Sequence, residues 1–204
     1  MEKVTIGIEK RVALSVLELA LKAVLDGSAT PEYFMQLALS GCTGANRAKK
    51  TVGLLNRLTI KNKLLPYITA NKEAVEAMLR SKMDRPLLFA SMMCAAYSIF
   101  YDTLTVLGKY FHVQENVTRV FLLQKLSEKY GSNRSLDVAF DCVMPMLIES
   151  GFVQRAGQGV YAIAKQEKYS ENALEIYKQA FLLNNPTLKE EDNFETNPYF
   201  EFIK

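Results

Sequence analysis

Between Thr43 and Lys63 the chain reads TGANRAKKTVGLLNRLTIKNK, with Arg47, Lys49, Lys50, Arg57, Lys61 and Lys63 and no acidic residue. Side chains of this kind at this density suit one chemistry: each cation neutralises a phosphate and frees a condensed counterion as it does so. Wound at the helical period, Ala45, Ala48, Val52, Leu55 and Leu58 fall on one side, and Asn46, Lys50, Gly53 and Arg57 on the other. One face packs and the other is basic. Gly53 costs a helix roughly 1 kcal/mol relative to Ala, but on the basic face it lets a phosphate or base edge come close to the backbone. Asn46 adds an amide able to read a base edge. The competing reading is a solvated basic helix whose partners are acidic groups elsewhere in the fold.

Other chemistries find few residues to work with. The sequence has no GxxxxGK[ST], GxGxxG after a strand, GxSxG or HExxH. Cys42, Cys94 and Cys142 are odd in number, far apart and joined only by the lone His112, which does not make a zinc site or a disulfide framework. The carboxylate pairs Asp137/Asp141 and Glu190/Glu191 have no metal-binding companion of suitable spacing. The expectation is a protein without catalytic residues, metal or cofactor. The start, MEKVTIGIEKR, lacks the apolar run of a signal peptide, and the expected location is cytoplasmic.

The net charge over 204 residues is only +3, so its distribution carries more than its sum. Residues 41 to 65 hold six basic and no acidic side chains, against four basic and eight acidic over 166 to 204. The pattern predicts a helix from about Glu9 to Asp26 and a second from Pro31 to about Leu39, capped by Thr30. A third, basic helix follows, with Thr43 as its N-cap. Three helices joined by tight turns have the layout of a helix-turn-helix unit over 1–66. Leu64, Leu65 and Pro66 end it, and Asn71 opens a short helix from about Lys72 to Lys82.

From Pro86 to Tyr101 there is no charged residue. That run is too short for a bilayer, which requires about 20 apolar residues, and is read as a helix buried on all sides within a central segment, 67–116. Met92, Met93 and Tyr97 then fill the core. A winged-helix-like unit is expected over 117–165: a helix from Val117 to Tyr130, another capped by Ser135 and kinked at Pro145, and a small β-hairpin in FVQRAGQGVYAIA. Its second helix exposes Asp137 and Asp141, which repel phosphate. Arg134, Arg155 and Gln158 are candidates for a secondary DNA contact. Over 166–204 a last helix, Glu171 to Asn184, precedes an acidic tail whose Phe194, Tyr199, Phe200 and Phe202 either pin it to a groove or leave it loose. Carboxylates on a loose tail would compete with nucleic acid for the basic helix.

The run SGCTGANRAKKTVGLLNRL, the Leu-Leu-Pro after it, the apolar helix near residue 90 and the helix ending in ESGFV resemble the BrxA-type proteins of bacterial BREX phage-defence systems. The resemblance covers roughly residues 9–165. It implies a cytoplasmic bacterial DNA-binding protein that is not an enzyme and acts in phage defence beside larger partners, with Arg47, Lys49, Lys50 and Arg57 as contact residues. The expectation is a mainly α chain, a helical bundle with double-stranded DNA as partner and no membrane. Its DNA-binding residues are Asn46, Arg47, Lys49, Lys50, Gly53, Arg57, Lys61 and Lys63. A helical protein–protein adaptor or transcriptional regulator is the alternative, and an RNA-binding helical protein stands behind it.

Overall fold

A computed structural model describes residues 6–41, 44–132, 134–164, 168–189 and 191–204. Among them are eleven helices, counting a terminal 3-10 helix, and one three-stranded sheet. The chain is mainly helical. Residues 6–13 are irregular rather than helical, and α1 starts only at Leu14 and runs to Leu25. Val12 and Ala13 match the Leu, Ala and Val of α1 in composition, so the stretch from Glu9 reads as one helix. What sets the start is distant in sequence: the Glu149 carboxylate accepts the Leu14 N–H at 2.8 Å, which satisfies a free amide of the first turn and complements the positive end of the helix.

Thr30 and Pro31 open α2 (Pro31–Ser40) as expected, the Thr30 hydroxyl accepting the Tyr33 N–H at 3.1 Å. α3 (Ala45–Leu58) packs against α2, α1 and the helix over Arg85–Ala96. Its N-cap position is Gly44, and Thr43 lies outside the described residues. Pro66 stands in the first turn of a further helix, α4 (Leu65–Ala70). Asn71 does not cap α5 (Lys72–Arg80) with its side chain, which instead donates to the Tyr67 carbonyl and closes α4.

The uncharged run is buried, as its length implied, but it is two helices. α6 (Arg85–Ala96) is buried from Pro86 through Ala95 and packs on the helices over Glu171–Asn184 and Ser98–Phe111, on α5 and on α3. The chain turns extended at Tyr97 and re-enters a helix as α7 (Ser98–Phe111). No helix of the described residues is long and apolar enough to cross a membrane.

Val117 and Thr118 form a short strand, β1, rather than the start of a helix, and Thr118 caps α8 (Arg119–Tyr130). α9 (Arg134–Glu149) starts before Ser135 and runs through Pro145 as one helix. β2 (Val153–Gly157) and β3 (Val160–Ile163) form the expected hairpin, with Gly159 at φ 65° in the turn, a conformation L side chains rarely adopt. β1 adds to β3, so the antiparallel order is β1-β3-β2.

α10 (Glu171–Asn184) has the expected bounds. The tail after it is pinned rather than loose. Pro198–Ile203 form the 3-10 helix, which packs along α7 and buries Tyr199, Phe200 and Phe202, while Phe194 is buried just before it. The Tyr199 ring stacks on Tyr177 with centroids 4.1 Å apart, and the Tyr177 hydroxyl donates to the Tyr199 carbonyl at 2.7 Å. Gly108 permits this seat, since a Cβ there would drive into the carbonyl oxygen of Pro198. The tail is thus held against α7, and its Glu201 pairs with Lys204 and His112 rather than with α3.

Candidate nucleic-acid interface

α3 presents its polar side outward. Ala48, Leu54, Leu55 and Leu58 are buried and Val52 half-buried, while Asn46, Arg47, Lys49, Lys50, Gly53 and Arg57 are exposed. Ala45, expected on the packing side, is exposed in the first turn. Lys61 and Lys63 lie past the end of the helix in a turn, both exposed. Between them Asn62 points inward and is buried. Its amide donates to the Leu58 and Met92 carbonyls at 2.8 and 2.9 Å, and its side-chain oxygen accepts the Leu64 N–H at 2.9 Å. This hub fastens the turn to α6, so the lysines on either side extend outward from a fixed backbone.

The cations are not equivalent. Arg57 is committed to the fold: its Nε donates to the carbonyl of Ala96, the last residue of α6, at 3.1 Å. Its guanidinium lies 4.2 Å from the centre of the Tyr97 ring. A planar cation thus caps a helix C-terminus and covers a buried aromatic where the chain breaks between α6 and α7. Burial raises the Tyr97 hydroxyl pKa, and the Arg57 charge opposes that shift. Lys50 pairs with Glu9 at 3.3 Å, but both side chains are largely exposed, 63% and 74%, so water and salt screen the pair. Arg47, Lys49, Lys61 and Lys63 have no acidic partner among the described residues. The solvated-helix reading therefore accounts for Arg57 and part of Lys50 and leaves four cations over.

Comparison with family models, curated proteins and solved structures finds no match. What the surface can do follows from its own geometry. Nothing lies within 4 Å of a Cβ placed on Gly53, so the outward face is open in mid-helix between Lys49, Lys50 and Arg57. Anions can approach the α3 backbone there without displacing a side chain.

The second candidate surface is different. Arg134 is the first residue of α9, Arg155 lies in β2 and Gln158 in the hairpin turn, all exposed. Asp141 is held by Arg119 of α8 at 2.6 Å, and Arg119 also lies over the Phe140 ring. Asp137 stays exposed on the same helix. Among the described residues no group of three or more His, Cys, Asp or Glu could hold a metal ion. Cys94 and Cys142 are free and buried, and Cys142 is pushed up to about 11 by burial first and by Asp141 second, which leaves it a poor nucleophile. Cys42 lies outside the described residues.

Glu9, Lys10, Arg11, Asn62 and Tyr97 carry parts of this site that sequence reading missed. Lys10 and Arg11 stand next to each other just before α1, a basic pair that would have marked the segment had it been read as an arm rather than as the first turn of a helix.

Proposed function

We propose that the chain is a non-enzymatic DNA-binding protein that contacts the phosphates of duplex DNA through α3. One observation carries the reading: the outward face of α3 and the turn after it present Arg47, Lys49, Lys50, Lys61 and Lys63, and no acidic residue occurs from 41 to 65. Like charges on one helix repel, and a polyanion relieves that repulsion. In this reading α1, α2 and α3 act as a helix-turn-helix-like unit, supported by the packing of α3 on α2 and α1. The segment from β1 through α8, α9, β2 and β3 acts as a winged-helix-like unit, supported by the pairing of β1 with β3 beside the hairpin. With Asp137 on its second helix, the latter is the weaker DNA reader. On the resemblance to BrxA-type proteins, the reading extends to a role in bacterial phage defence, in the cytoplasm, beside larger partners.

A second reading, a helical adaptor, is favoured by a cleft of about 600 Å³ between α10 and the 3-10 helix. Leu174, Phe194, Phe200 and Ile203 line it together with three carboxylates, Glu171, Glu175 and Glu195, and two lysines, Lys178 and Lys204, a lining suited to an amphipathic segment of a partner that carries both charges. Competition between duplex DNA and RNA in a gel shift at two salt concentrations separates the readings. DNA binding predicts duplex preference and steep weakening with salt, RNA binding predicts loss of the duplex complex to RNA, and an adaptor predicts weak binding that salt does not change.

A further inference from the structure

Residues 6–13 form an arm laid along the fold. Ile8 and Val12 are its anchors, 2% and 3% exposed, and the Leu14 N–H bonded to Glu149 fastens its end to α9. Between the anchors the chain presents Glu9, Lys10 and Arg11. Glu9 turns to Lys50. Lys10 and Arg11 line a cleft of about 370 Å³ whose facing wall is the start of α3, with Arg47 and Thr51, and whose floor includes Val12 and Leu37. Three cations from two separate elements thus line one cleft, and among the described residues no carboxylate does.

We propose that this cleft is a phosphate-binding site. The source of the phosphate, the backbone of a nucleic acid, rests on the DNA-binding reading above. The chemistry follows from the lining. Lys10, Arg11 and Arg47 bring three positive charges to the lining, and a phosphate entering the cleft can accept hydrogen bonds from them. The buried Ile8 and Val12 and the Leu14 hydrogen bond anchor the stretch of chain that carries Lys10 and Arg11, so less backbone ordering entropy is lost on binding. The arm also answers a difficulty with α3 itself. Arg57 is occupied by Ala96 and Tyr97, and the arm moves the centre of positive charge to the other end of the helix, where Arg47 stands.

The test uses the full chain, the double variant Lys10→Ala/Arg11→Ala, and Arg47→Ala, each checked for unchanged urea stability. Fluorescence anisotropy with a duplex at several salt concentrations gives affinity and its salt slope. A titration with inorganic phosphate alone, followed by amide NMR, reads Gly41, Arg47 and Thr51. The proposal expects both variants to bind duplex several-fold more weakly, with the salt slope reduced by about 1, the value of one phosphate contact. It also expects phosphate to shift those amides in the parent chain and not in the variants. Parent-like DNA affinity and slope in both variants, with no phosphate shifts, would overturn the cleft and leave the α3 reading standing. A parent chain that binds no duplex but shows the phosphate shifts would remove the DNA reading and keep the cleft as a site for a phosphate from another source. A chain that shows neither loses both.

Discussion

Arg57 was expected to be a DNA contact, and its surroundings in the fold make a different prediction for its removal. Arg57→Ala deletes a charge-assisted hydrogen bond to the Ala96 carbonyl and a cation–π contact with Tyr97. The hydrogen bond contributes about 1 kcal/mol at a site this exposed, and the ring contact about 0.5–1 kcal/mol. The sum is about 1–2 kcal/mol of lost stability. Lys50→Ala removes only a screened surface pair with Glu9 and should stay within about 0.5 kcal/mol of the parent chain. Arg57→Lys keeps the charge but not the planar guanidinium, and should fall between the two. Urea unfolding followed by circular dichroism measures all three. Equal stability of Arg57→Ala and Lys50→Ala would refute the capping role and return Arg57 to the free cations of α3. The functional consequence is direct: a fall in DNA affinity after Arg57→Ala mixes folding with binding, whereas Lys49 and Lys50 report binding alone.

Three further outcomes follow from named positions. Gly53→Ala meets nothing within 4 Å, so it should stabilise α3 by about 0.5–1 kcal/mol in urea unfolding, yet weaken duplex binding if a phosphate approaches the backbone there. Gly108→Ala drives a methyl into the Pro198 carbonyl and should cost about 2 kcal/mol or more, with faster tryptic cleavage at Lys189 as the tail lifts; parent-like stability and cleavage would refute the seat. Tyr67, Tyr97, Tyr101, Tyr130, Tyr169, Tyr177 and Tyr199 are all held above the ordinary phenol value, burial being the largest cause in each, with Tyr169 pushed up to about 12. Their folded pKa values are raised, so this stability is fully present below about pH 10 and lost as pH climbs above it. Absorbance at 295 nm should rise later in the folded chain than in urea, and coincident titration curves would contradict the burial.

Local signals placed much of the fold. Thr30 and Pro31 mark a helix start by chemistry that needs no distant partner, and the charge-free run from Pro86 could only be buried. What escaped was set by long-range contacts. The start of α1 depends on Glu149, which is 135 residues away. The break at Tyr97 has no proline or glycine to announce it, and Arg57 lies over it only because α3 packs on α6. β1 is two residues long, too short for an alternating pattern to register. The tail sequence supported two outcomes, and Gly108, ninety residues before Pro198, permits the packed one. The basic face of α3 was legible because amphipathic spacing and charge are both local, while the division of its cations into free and committed ones was not.

The salt dependence of duplex affinity tests the central claim most directly. Arg47, Lys49, Lys50, Lys61 and Lys63 give about four to five phosphate contacts and a slope of log affinity against log salt of roughly −4. Between 50 and 200 mM salt the affinity should then fall roughly two hundred-fold. Lys49→Glu/Lys50→Glu should bind far more weakly, with a flatter slope, at parent-like stability. A parent chain whose duplex affinity does not change with salt, or a double variant that binds as the parent does, would contradict the account.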